Sequence, residues 1–112
     1  MAGKFVLKRS GTDGFMFNLH AGNGQVVLTS ERYEARASAL NGIESVRTNA
    51  ANPERFELRQ GSKEPYFVLK AGNGQVIGMG EHYSSEAAAR EGMAAVARAA
   101  EGAPTDDQIP VA

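Results

Sequence analysis

An internal duplication constrains this chain more than any other feature. Residues 16–47 and 66–97 align at an offset of 50 and agree at 14 of 32 positions. The block Ala-Gly-Asn-Gly-Gln-Val is identical in the two copies. Upstream, Lys4-Phe5-Val6-Leu7-Lys8 matches Arg55-Phe56-Glu57-Leu58-Arg59 at an offset of 51, so one intervening loop is a residue longer. A unit of about 50 residues, burying only one face, is marginal alone, and two such units can complete each other.

Each copy predicts three strands and a helix. Phe5-Val6-Leu7-Lys8 and Phe56-Glu57-Leu58-Arg59 start with apolar residues at alternate positions, as a half-buried strand does. Phe17–Ala21 and Phe67–Ala71 form second strands, and Gln25–Thr29 and Gln75–Met79 third strands. Between them lie Asn23-Gly24 and Asn73-Gly74, the signature of a two-residue type I′ turn with positive φ at both positions. That turn predicts that Leu19 faces Leu28, Phe17 faces Ser30 and Ala21 faces Val26. The stripe Ala39, Gly42, Ile43, Val46 and its counterpart Ala89, Gly92, Met93, Val96 then mark a helix. Ser84 is the expected N-cap in copy two, with the weaker Glu34 in its place in copy one. The expected fold is α+β: two tandem β-β-β-α repeats (4–50 and 55–100) in one domain over 1–100. They form one pseudo-two-fold antiparallel sheet of about six strands with both helices on one face. Residues 101–112 read as a disordered tail.

The pattern Phe-x-Leu-x-Ala-x-Asn-Gly-x-Val, then Glu-x-Tyr, then an alanine-rich helix carrying Gly-(Ile/Met)-x-x-Val, resembles the YegP-like family of small, mostly bacterial proteins. The resemblance spans about residues 4–97. It implies the tandem form of a unit that in other members pairs as a dimer. Some members carry Trp where this chain has Phe17 and Phe67. Copy two departs from copy one at Gly78-Met79-Gly80. The family has no established activity, so the resemblance implies a fold and leaves function open.

Several chemistries are excluded or disfavoured. The 112 residues contain no cysteine, which removes disulfides, thiol catalysis and cysteine metal sites and suits a reducing, cytoplasmic setting. No apolar run is long enough to span a membrane, and Met1-Ala2-Gly3-Lys4-Phe5-Val6 is not expected to be a signal peptide. The net charge is −1, with an excess of acid in the tail at Glu101, Asp106 and Asp107, so nucleic acid is the weakest of the expected partners. His20 and His82 do not recur between copies, and no spacing suits a metal. No cofactor is expected. Gly22-Asn23-Gly24 leads into a strand rather than a helix, so it is a turn and not a phosphate loop.

The polar signature shared by the copies is Glu31-Arg32-Tyr33 and Glu81-His82-Tyr83, at the strand-to-helix corner. Glu31, Tyr33, Glu81 and Tyr83 are therefore the candidate binding residues, or an acid/base pair if the chain is an enzyme. Local architecture also accounts for them, with each ring packed over the sheet end and each Glu near a helix N-terminus. The helix-free face is expected to carry Val6, Met16, Val27, Tyr66, Val68, Ile77 and Met79 among Lys8, His20, Arg59 and Lys70. Such a mixture suits a protein partner or self-association. A non-enzymatic binding domain is the leading expectation.

Overall fold

The computed structural model describes residues 3–109. The strands are β1 (Lys4–Ser10), β2 (Gly14–His20), β3 (Val26–Ser30), β4 (Phe56–Gln60), β5 (Pro65–Lys70), β6 (Val76–Met79) and β7 (Thr105–Asp107). The helices are α1 (Arg36–Asn49), between β3 and β4, and α2 (Glu86–Ala100), between β6 and β7. One mixed seven-stranded sheet runs in the order β4-β5-β6-β3-β2-β1-β7. Both helices pack on the same face, around one core that includes Phe5, Leu7, Phe17, Leu19, Leu28, Ile43, Phe67, Leu69 and Val96.

The two copies join where β3 meets β6. Thr29 and Met79, counterparts at the repeat offset, are paired with each other, so the pseudo-two-fold passes between them. Beside that axis the copies differ for a packing reason. Leu28 is 1 % exposed and its isobutyl group lies against Gly78, where an added Cβ would sit 2.7 Å from Leu28 Cδ2. Gly78 is the counterpart of Leu28, so the seam has room for one leucine and not two. Gly80 likewise leaves room for the Phe67 ring. The Gly78-Met79-Gly80 departure is thus how the two halves fit.

The hairpin turns differ from the two-residue expectation. Among the described residues no non-glycine has positive φ. Within each of these turns a single residue, Gly24 (φ 89) or Gly74 (φ 88), is left-handed. Gly24 N–H donates to Ala21 C=O (2.9 Å) and Ala21 N–H to Gln25 C=O (2.8 Å), which makes a three-residue loop. Asn23 Oδ1 accepts from Gln25 N–H (3.0 Å), as Asn73 does from Gln75 (2.9 Å). Leu19 does face Leu28, but a β-bulge follows and His20, not Ala21, faces Val26. The bulge recurs in copy two between Leu69 and Lys70. It turns Val27 and Ile77, both expected on the open face, into the core.

The helix stripes fall where the sequence puts them, with Met93 only half-buried. The N-caps shift by one residue. Ser85, not Ser84, accepts from Ala88 N–H (3.1 Å), and α1 starts after Ala35 with no side-chain cap.

The tail also differs from expectation. Thr105–Asp107 form β7, parallel to β1, and the expectation of disorder for residues 110–112 falls outside the described residues. Phe5 N–H donates to Pro104 C=O (2.9 Å), and Gln108 N–H to Leu7 C=O (2.8 Å). Arg36 pairs with Asp107, Lys4 with Asp106 (3.5 Å), and Arg47 holds Ala103 C=O and Thr105 Oγ1 while lying 4.8 Å over the Phe5 ring. The Arg36 guanidinium keeps the Asp107 carboxyl below its ordinary value, with a further contribution from the Ile109 N–H. Composition alone reads this segment as free because the groups that hold it come from β1 and α1.

Candidate functional site

The Glu-x-Tyr corners occupy equivalent places and are built the same way. Tyr33 exchanges backbone hydrogen bonds with Phe15 (2.7 and 2.8 Å), which anchors the chain between β3 and α1 to the start of β2. Tyr83 keeps one of the two, donating to Pro65 C=O (2.9 Å), because proline has no N–H to return. The Tyr33 ring stacks on Phe17 (6.2 Å, 12°) and the Tyr83 ring on Phe67 (5.9 Å, 16°). Each hydroxyl reaches the helix at Gly42 or Gly92, where any Cβ would collide with it. The helical glycines are close-approach points, as expected, and what approaches them is the tyrosine hydroxyl as well as a sheet phenylalanine.

Burial, and then the charge of Glu31 or Glu81, pushes both phenols above their ordinary value. A raised phenol gives up its proton less readily, which works against a general-base role at neutral pH. The linkage to stability has a definite sign. The folded state holds these protons more tightly, so the stabilisation is intact below the unfolded pKa of about 10 and is lost as pH rises through the folded values. Alkaline titration followed by tyrosinate absorbance should therefore show two phenols ionising late and together with unfolding. Ionisation of all three tyrosines near the free-phenol value, with the fold intact, would contradict this geometry.

Glu31 and Glu81 are exposed, so the structure does not gather the four residues into one pocket. The second corner differs from the first in its setting. Glu81, His82 and Tyr83 line an open groove of about 470 Å³ with Val27, Glu91 and Arg98. His82 packs on Tyr66 (ring centroids 5.1 Å) and reaches the open sheet face. His20 Nδ1 lies 3.0 Å from Gly24 O at the first hairpin. Among the described residues no group of His, Asp or Glu is arranged to hold a metal.

The helix-free face is best described by its central row of paired residues: Glu57, Val68, Met79, Thr29, Asn18, Val6 and Asp106, from β4 to β7. Val68 is 0 % exposed although no helix covers it. It is paired on one side with Glu57 and on the other with Met79, and Glu57 is ion-paired to Lys70 (2.9 Å) and Arg59 (3.0 Å). The bonds to Lys70 and then Arg59 hold the Glu57 carboxyl below its ordinary value. Asn18 is also buried, and its side-chain amide donates to Thr29 Oγ1 (3.0 Å). Met79, on the pseudo-two-fold, is 40 % exposed and is the one large apolar side chain classed as exposed among the described residues. In the sequence it was legible only as part of a mixed face. The bulges that remove Val27 and Ile77 from this face leave Met79 as its central apolar group.

Among the described residues no helix is long and apolar enough to cross a membrane. Comparison with known proteins fits the architecture. A family model, "Domain of unknown function (DUF1508)", matches twice, at residues 12–57 and 62–107. A UPF0339 protein of Bordetella pertussis is 52 % identical over 109 residues, covering 96 % of this chain and 97 % of that protein. The solution NMR structure of Escherichia coli YegP, described as a protein of unknown function, superposes with a TM-score of 0.92 at 39 % identity, covering 100 % of this chain and 97 % of that one. That of a Shewanella oneidensis UPF0339 protein gives 0.89 at 42 % identity, covering 97 % and 93 %. Two matched units, one continuous sheet and relatives at full length lead to one assignment: the chain belongs to the DUF1508 family, in its tandem form, and no function is assigned to that domain.

Proposed function

We propose that this protein is a small non-enzymatic binding domain whose helix-free sheet face docks a protein partner. The observation that supports the reading is Met79: an exposed, flexible apolar side chain at the centre of a seven-stranded sheet, ringed by ion-paired and basic groups. An adaptable thioether surrounded by polar side chains suits an anchor with a polar rim. The partner that fits offers an apolar side chain to Met79 and a carboxylate to Lys8. The corners have a structural role that explains their recurrence, and the raised phenols weigh against acid/base catalysis. The near-neutral charge weighs against nucleic acid, and the absence of cysteine suits the cytoplasm.

Met79→Glu should leave the protein folded at a cost of about 1 kcal/mol, because the side chain is 40 % exposed and a carboxylate there can reach water. It should abolish partner capture from the native extract, while a Glu31→Gln/Glu81→Gln variant retains it. Equal recovery by wild type and Met79→Glu removes the face from consideration. Val68 is unsuitable for this test, since burying a carboxylate at a fully covered position disrupts folding whatever the surface does.

A second reading rests on the groove beside Glu81 and Arg98, whose mixed charge suits a small polar molecule. Chemical-shift changes confined to His82, Glu91 and Arg98 on metabolite addition would favour it. Changes centred on Met79 would not.

A further inference from the structure

The two edges of the sheet are treated differently. At the copy-one edge, β7 covers β1, and Phe5 beneath it is fully buried. At the copy-two edge, β4 has no neighbour among the described residues, and its counterpart residue Phe56 remains half-buried. A groove of about 510 Å³ lies beside it, lined chiefly by Phe56, Met93, Ala94, Ala97, Ala50 and Ala51. The clamps that hold the strap in copy one are missing here: Arg47 becomes Ala97 and Arg36 becomes Glu86. The cations at this edge are placed differently: Arg90 and Arg98 also line the groove, and Arg90 is paired with Glu86 (3.6 Å).

The edge does suit itself. On β1 the Phe5 N–H and Leu7 C=O point outward to the strap. By the repeat, Leu58 turns its backbone groups outward on β4, while Phe56 N–H is already taken by Pro53 C=O. An antiparallel copy centred on Leu58 sets Leu58 against Leu58, Phe56 against Gln60, and Glu57 against Arg59, twice. Glu57 and Arg59, already paired within each chain (3.0 Å), then also face opposite charges across both pairs, where like charges would repel. The same two-fold turns the groove-lining sides of the two α2 helices toward one another, with Ala94 and Ala97 in the middle and Arg90 and Arg98 at either end. Two-fold pairing through one shared patch is the commonest form of self-association.

We infer that the protein forms a two-fold dimer by antiparallel β4–β4 pairing, which extends the sheet across two chains. The full chain should show a concentration-dependent monomer–dimer equilibrium by sedimentation. Glu57→Arg and Arg59→Glu, each alone, place two like-charged pairs at the junction and should raise the dimer Kd by roughly tenfold or more. The double variant Glu57→Arg/Arg59→Glu should restore it, because both pairs are again opposite in sign. Thermal melts confirm that each variant is folded, and either single variant suffices with the double. Met79→Glu should leave the equilibrium unchanged, which separates this dimer from the open-face reading. A wild type that stays monomeric at all concentrations overturns the inference. So does a dimer that ignores both single variants, or a double variant no better than either single.

Discussion

Leu28→Gly should destabilise the protein by about 3–5 kcal/mol, and Gly78→Leu in the same chain should return most of that loss. The first change empties a fully buried site at the seam between the copies and loosens the β3 backbone. Alone, Gly78→Leu forces a second isobutyl group into a space already filled by Leu28, where even a Cβ would lie 2.7 Å from Leu28 Cδ2, and should cost about 1–3 kcal/mol or more. Combined, the two changes move the one leucine across the pseudo-two-fold and keep the volume constant. Chemical denaturation of the four proteins gives the coupling energy directly. If the two losses simply add, the seam is not the shared space described above.

Phe67→Ala should cost about 3–5 kcal/mol, a large share of the about 5–15 kcal/mol that holds a domain of this size together. The ring is fully buried, meets Phe56 edge-on (5.6 Å) and Tyr83 face-on (5.9 Å), and fills the space left by Gly80 and Gly92. Its loss should therefore also release Tyr83, so the phenol titrates nearer its ordinary value in whatever fraction stays folded. Urea unfolding with tyrosine absorbance reports both effects. A variant that loses stability while Tyr83 titrates as late as in wild type would show that the corner does not depend on this ring.

The elements were legible in sequence because the duplication supplies each pattern twice. Strand alternation at Phe56 and Leu58, and the helix stripe through Ala39 and Val46, follow from local periodicity. The turn was less legible. Asn-Gly suits a two-residue loop, but the same pair also fits a three-residue loop in which only Gly24 is left-handed. That one-residue difference, absorbed by the bulge, decides whether Val27 and Ile77 face solvent or the core. β7 was not legible, since Thr105–Asp107 has little strand propensity and is held by Arg36, Arg47 and Lys4, which lie far away in sequence. Of the candidate site, the sequence shows the corner residues only as features shared by the two copies. Their purpose needed the geometry that places each hydroxyl at a helical glycine.

The parallel pairing of β7 with β1 has a mechanical consequence. The chain enters β1 at one end of that pair and leaves β7 at the other. Tension applied between the two termini therefore runs along the strands. It loads the Phe5–Pro104 and Gln108–Leu7 backbone bonds together, in shear, and does not peel them one at a time. Had the same segment closed the edge antiparallel, both ends would leave from the same side and the pair would unzip. The strap thus makes β1 and β7 a clasp against stretching at that edge of the sheet.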